Sequence, residues 1–181
     1  MNYYSAKELA ASFQTVRQNT IQIAEDIPEQ QYGYQAGPET RTVEKILTHI
    51  ALSYRFSHQI HAVERRATLE GFDFRGMMEK LGAEEAQSRT KAEVIDLLKR
   101  NGEIWAQFVE STSEEFLGES VEMPHGATPP SKSRFEILIS VKEHEMHHRG
   151  QLMLIERMIG IVPHLTRQFQ ERMAQAAKAS S

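Results

Sequence analysis

Apolar residues recur at steps of three and four along most of the chain, the period of helices that bury one face. After Ser5, the residues Leu9, Phe13, Val16, Ile23 and Ile27 fall on one such stripe, with Thr20 in the remaining step. Ser5 and Glu8 form a capping box ahead of it, and Pro28 predicts its end, because the residue before a proline avoids helical geometry. Val43, Ile46, Leu47, Ile50, Ala51 and Tyr54 predict a second long helix running to about Thr68. The capping pair Thr90/Glu93 opens a third, carrying Val94, Leu97, Leu98, Ile104, Trp105 and Phe108 and ending near Thr112. Ser133/Glu136 opens a fourth from about Arg134 to Met158, with Gly160 as its C-terminal cap and Pro163 just beyond.

Between these helices the pattern breaks. Residues 28–40 read as a loop rich in Gly, Pro and Gln. Residues 70–89, with Gly71, Gly76 and Gly82, read as a connection holding one short helix. Residues 118–132, with Pro124, Pro129 and Pro130, read as an irregular crossover without strand alternation. The expectation is an all-α four-helix bundle with long crossover connections. It should occupy residues 1–165, with 166–181 a polar tail that is helical or frayed.

The fourth helix carries the chemistry. Ile137, Val141, His144, His148, Leu152, Ile155 and Ile159 share one stripe, so two of the eight histidines lie on the core-facing side, one turn apart. Two stacked imidazoles in a core are costly unless their nitrogens are satisfied, and a metal ion does this well. A third ligand should come from another helix. His49 is the best candidate, on the line Thr42, Ile46, His49, Ser53 that flanks the apolar stripe of the second helix. Taken alone, His49 reads more readily as a satisfied core or boundary histidine than as a ligand; the pair at His144 and His148 is what recommends it. His147 points about 100° away from His148 and is left outside the ligand set, as an outer or substrate-facing group. His58 and His61 lie nearer the far end of the second helix, and the loop contexts of His125 and His164 predict solvated side chains.

Composition narrows the function classes. A hydrophobic fraction of 40%, a charged fraction of 25% and 181 residues suit one globular domain. The net charge of -4 and the absence of a Lys/Arg block argue against a nucleic-acid partner. There is no cysteine, which excludes disulfides, thiolate metal ligation and a cysteine nucleophile. No apolar run approaches the roughly 20 residues that span a bilayer, and no basic, apolar leader opens the chain, so the expectation is a cytoplasmic protein without a membrane partner.

His49, then His144 and His148 followed by Arg149-Gly150-Gln151-Leu152, resemble the DinB-like (DinB/YfiT) superfamily of metal-binding four-helix bundles. Arg41-Thr42 at the start of the second helix and Met158-Ile159-Gly160 at the end of the fourth agree with that pattern, and the resemblance runs from about Leu9 to Pro163. It implies one divalent ion held by His49, His144 and His148 near one end of the bundle, with its other positions open. Nitrogen ligation suits zinc or nickel. The resemblance further implies thiol transfer, with a low-molecular-weight thiol as cosubstrate, or hydrolysis of a small-molecule substrate, together with a homodimer and a link to stress-response genes. Candidate catalytic residues are Gln151, to orient a ligand or water; Arg149, to hold an anionic substrate group or form a salt bridge; and Glu145. Gly150 should allow close helix approach, and Met146, Met153 and Met158 should fill the core or an interface.

Two other readings compete. His144-Glu145-Met146-His147-His148 also satisfies HExxH, the zinc-peptidase pattern with Glu145 as general base and Glu171 as a conceivable third ligand. A peptidase of that kind holds its substrate along a strand edge, which this chain is not expected to offer. The other is a non-catalytic bundle that binds a metal or small ligand for sensing.

Overall fold

The computed structural model describes residues 4–179. Its first helix, α1 (Ala6–Asp26), begins where the capping box predicts: Ser5 Oγ accepts from Glu8 N–H, and Glu8 Oε2 accepts from Ser5 N–H at 2.7 Å. It stops at Ile27, the residue before Pro28. After the connecting loop, Thr42 caps α2 (Val43–His58) by accepting from Lys45 N–H at 3.2 Å. This helix is shorter than its sequence pattern suggests. It gives way to a π-turn over 59–63, and Arg65, at φ 48°, turns the chain out of the helix well before Thr68.

Residues 70–89 are better ordered than expected. Asp73 caps a 13-residue helix, α3 (Phe74–Ala86), through Gly76 N–H at 2.8 Å. A Cβ at Gly76 would fall on that carboxylate, so a residue read as a breaker makes room for the cap instead. The long helix α4 (Lys91–Glu110) follows, then the single short helix α5 (Glu114–Gly118). The crossover read as strandless contains an antiparallel pair, β1 (Ser120–Glu122) and β2 (Ser131–Ser133), with Val121 opposite Lys132. Three residues per strand are too few to leave a period-two signature.

The last long helix, α6 (Arg134–Met158), ends in a Schellman motif. Gly160 takes φ 84°, Ile161 N–H bonds Glu156 O at 2.7 Å, and Gly160 N–H bonds Arg157 O at 3.2 Å. A further helix, α7 (His164–Ala179), closes the described chain and leaves most of its surface exposed. No helix among the described residues is long and apolar enough to cross a membrane.

The bundle is built from α1, α2, α4 and α6, with α1 and α2 each packed on both α4 and α6. Its apolar core has two main parts, one around Ile23, Ile27, Leu47, Leu98 and Leu152, the other around Phe13, Tyr54, Trp105 and Leu138, and a small third cluster joins Ile60, Leu69 and Val121. Ile104, expected in the stripe of α4, is instead 45% exposed beside an open groove between α1 and α4. Gly150 is not the close-approach glycine either: its position is open, with nothing within 4 Å of a Cβ placed there. That role belongs to Gly102 on α4, where a Cβ would lie 2.9 Å from Arg17 Cγ.

One buried acid gives a pH signature. Glu156 has no exposed surface and neither carboxylate oxygen has a hydrogen-bond partner. Burial, reinforced by Asp26 and opposed by Arg167 and Arg157, pushes its carboxyl up to about 7. A pKa raised in the fold favours the protonated form, so this contribution is complete below about pH 4.5 and is lost as pH rises through about 7. Glu156→Gln should therefore gain stability over the natural protein between pH 5 and 8, by on the order of 3 kcal/mol at the upper end. Urea titrations of both proteins across that range check it; a difference that stays flat with pH would contradict it.

Candidate metal centre

The spacing of four on α6 and the packing of α2 against α6 bring three imidazoles to one point. His49 Nε2 lies 3.2 Å from His144 Nε2, and His148 Nε2 lies 3.2 Å from the same atom. One ligand atom from each ring falls within 4.8 Å of the others. Three nitrogens at 2.0–2.1 Å from a tetrahedral ion lie about 3.3 Å apart, so the two 3.2 Å separations match shared coordination.

Outer partners orient two of the rings. His49 Nδ1 sits 2.6 Å from Glu85 Oε1; an ionised carboxylate only accepts, so the ring proton is on Nδ1 and the Nε2 lone pair faces inward. His148 Nδ1 donates to Gln151 Oε1 at 2.8 Å, which assigns that ring the same tautomer. Two lone pairs thus confront His144 Nε2, and one proton on that atom could serve only one of them well. The buried His144 Nδ1 has no partner. An ion at the three Nε2 atoms leaves only that nitrogen unsatisfied, so the donor set fits a metal better than it fits a hydrogen-bonded cluster.

Electrostatics favours neutral ligands. Burial, followed by the neighbouring His148, His49 and His147 and by Arg41, lowers His144 to about 4. His148 is also lowered, chiefly by burial, against the opposing hydrogen bond to Gln151. Both rings are neutral at pH 7 and offer lone pairs without first losing a proton.

The other candidates separate clearly. Gln151 is an orienting residue: its carbonyl holds His148, and its Nε2 lies 3.4 Å from His147 Nε2. His147 stacks edge-on against His148 and stays outside the trio. Glu145 faces α1, where Arg17 donates to both its oxygens at 2.9 Å, so it is no free base beside the histidines. Arg149 lines neither cavity at the histidines; Glu145 acts on its charge, and its charge in turn acts on His164. Glu171 is exposed on α7 and outside the cluster.

Of the remaining histidines, His58 lies against Tyr54 and Phe108, and His61 is buried with its Nδ1 2.9 Å from Arg134 Nη1. His125 is exposed, as expected. His164 is not: it is 3% exposed at the start of α7, with its Nε2 3.1 Å from Asn19 Oδ1. Docking of α7 on α1 buries it, which local sequence does not report.

Glu85 on α3 escaped the sequence reading altogether, and Arg41 figured in it only as part of the start of the second helix, without a place at the centre. A histidine ligand generally has an acceptor on its second nitrogen. That rule calls for a residue such as Glu85 but cannot say which element brings it. Because Glu85 fixes the tautomer of His49, Glu85→Ala should weaken metal affinity about 10–100-fold without unfolding the bundle. Competition with a chelator of known affinity measures this; unchanged affinity would remove Glu85 from the site.

Two cavities reach the histidines. One, of about 460 Å³, is bounded by His49, His144, Phe56, Met78 and Glu85. The other, of about 320 Å³, is bounded by His148, Gln151, Ile46 and Leu154. A larger groove of about 830 Å³ between α1 and α4 contains no histidine. The β1–β2 hairpin lies before the first turn of α6, roughly 16 Å along the helix axis from His144, and provides no strand edge at the trio.

Comparison with known proteins agrees with this architecture. The profile of the DinB superfamily matches residues 12–152. A DinB-like protein of Bacillus subtilis, YjoA, has a similar structure at 21% identity and a TM-score of 0.61, covering 84% of this chain and 92% of that one. A DinB-like protein of Bacillus cereus is similar at 11% identity and a TM-score of 0.66, over 90% and 97% of the two chains. YfiT of Bacillus subtilis, described as a probable metal-dependent hydrolase with an unusual four-helix bundle topology, is similar at 14% identity and a TM-score of 0.66, over 89% and 91%. At these identities the likeness is one of fold. No curated protein matches the chain.

Proposed function

The chain belongs to the DinB superfamily, and from that membership and the histidine trio we propose a metal-dependent enzyme acting on a small molecule by thiol transfer or hydrolysis. His49, His144 and His148 hold one divalent ion, zinc or nickel. The observation that carries the proposal is the convergence of three Nε2 atoms whose tautomers are set from behind by Glu85 and Gln151. Three protein ligands, rather than four, are the arrangement of catalytic sites with an open position. When bound, such an ion lowers the pKa of a water or a low-molecular-weight thiol and so supplies a nucleophile at neutral pH.

The chain's own residues do the rest. Glu85 fixes the tautomer and ring plane of His49, and Gln151 does the same positioning for His148. Phe56, Met78 and Leu81 wall the larger cavity and limit water around a bound ligand. YfiT's description as a metal-dependent hydrolase lends support by fold. The same family reading carries a homodimer, for which the exposed Leu154, Met158, Phe169 and Met173 offer apolar surface.

Titration of the cobalt-loaded protein with mercaptoethanol tests this. A sulfur-to-cobalt charge-transfer band should appear, and should be absent in His144→Ala. A loaded protein that binds no thiol, and turns over neither esters nor thiol-reactive electrophiles, would favour the non-catalytic reading.

A further inference from the structure

Arg41 is the single charged residue common to both cavities at the histidines. It precedes the N-cap of α2, and its side chain is 49% exposed. Its contact with Glu85 is loose: Nη2 and Oε2 are 3.9 Å apart, too far for a hydrogen bond, while the other oxygen of Glu85 is committed to His49 at 2.6 Å. The guanidinium fork therefore keeps donors for something else.

Charge says what that is. In the larger cavity Arg41 and Glu85 balance, and the histidines are neutral ligands, so the two positive charges of a bound ion are left uncompensated. The smaller cavity also contains Glu39, which makes it the poorer place for an anion. The wall of the larger cavity is mostly apolar, through Phe56, Met78, Leu81 and Val141, with the hydroxyls of Ser53 and Ser140 among them. Both hydroxyls give their protons to carbonyls of their own helices, Ile50 O and Ile137 O, and so can only accept. Neither is placed to anchor an anion; the hydroxyl of Ser57 also borders the cavity, but among the described lining residues Arg41 carries the cationic donors. A single planar fork suits a carboxylate, which it can hold with two parallel hydrogen bonds.

We propose that Arg41 is a specificity-determining residue, forming an anion subsite of the larger cavity that selects a small, partly apolar organic carboxylate. The ligand's carboxylate pairs with Arg41, its body lies on Phe56 and Met78, and its other end faces His49 and His144. This rests on the metal-centre reading given above.

The test uses the cobalt-loaded full chain and two thiols of equal length, mercaptopropionate and mercaptopropanol, read by the charge-transfer band. The natural protein should bind the carboxylate about tenfold more tightly than the alcohol. Arg41→Met should bring the two within about twofold of each other, and Arg41→Lys should keep part of the preference, since it retains the charge but not the fork. Raised salt should erode the preference in the natural protein and what remains of it in Arg41→Lys, and leave Arg41→Met unchanged. Equal affinities in the natural protein, or a full preference surviving in Arg41→Met, would overturn the subsite while the band itself left the metal centre standing. No band with either thiol, in protein shown to contain cobalt, would instead remove the open metal centre and the subsite with it.

Discussion

Glu145→Ala should cost the fold about 3–5 kcal/mol, the usual penalty for stranding one member of a buried ion pair. The side chains of Arg17 and Glu145 are 4% and 1% exposed. Arg17 spends its whole fork inside: Nε and Nη2 on Glu145, Nη1 on Leu98 O at 2.7 Å, and Nη2 also towards Ile50 O at 3.4 Å. One side chain thus ties α1 to α2, α4 and α6, and Gly102 leaves the space it occupies. Without the carboxylate, a desolvated cation remains among these helices. The paired change Arg17→Met with Glu145→Leu should recover most of the loss, because apolar replacements remove both charges together. Urea denaturation of the three proteins measures this. The HExxH reading expects something else, a stable, metal-loaded protein that has lost turnover on Glu145→Gln. Little change in stability with complete loss of activity would return Glu145 to the catalytic machinery.

Removing the middle ligand should have the largest effect on metal. His144 Nε2 is 3.2 Å from both other ligand nitrogens, so His144→Ala leaves two imidazoles without their shared neighbour. A ligand that binds only the folded state stabilises it by mass action, about 4 kcal/mol at a thousandfold excess over the dissociation constant. The natural protein should therefore melt at a clearly higher temperature with zinc or nickel than after chelation. His144→Ala should melt at the same temperature in both conditions. A metal-dependent shift preserved in His144→Ala would place the ion elsewhere.

The bundle and the trio were legible because both are written locally. Capping boxes at Ser5, Thr90 and Ser133 mark helix starts within a residue, and the phase of His144 and His148 against Val141, Leu152 and Ile155 states which face they occupy. His49 could be picked by the same phase argument on α2. What sequence spacing lacks is knowledge of which elements meet. Arg17 pairs with Glu145 across 128 positions, and nothing near either residue announces the other. Glu85 comes to His49 on a helix that looked like a glycine-rich connection, and His164 is buried only because α7 folds back on α1. Arg149 and Arg41 make the contrast sharpest. The arginine next to the histidines in sequence borders neither cavity at them, whereas the one that borders both lies about a hundred residues upstream.

Elemental analysis of protein purified without a histidine tag tests the central claim most directly. The natural chain should contain about one zinc or nickel per molecule, and His49→Ala and His144→Ala should each retain almost none while remaining folded. Full occupancy in both variants would contradict a centre built from His49, His144 and His148.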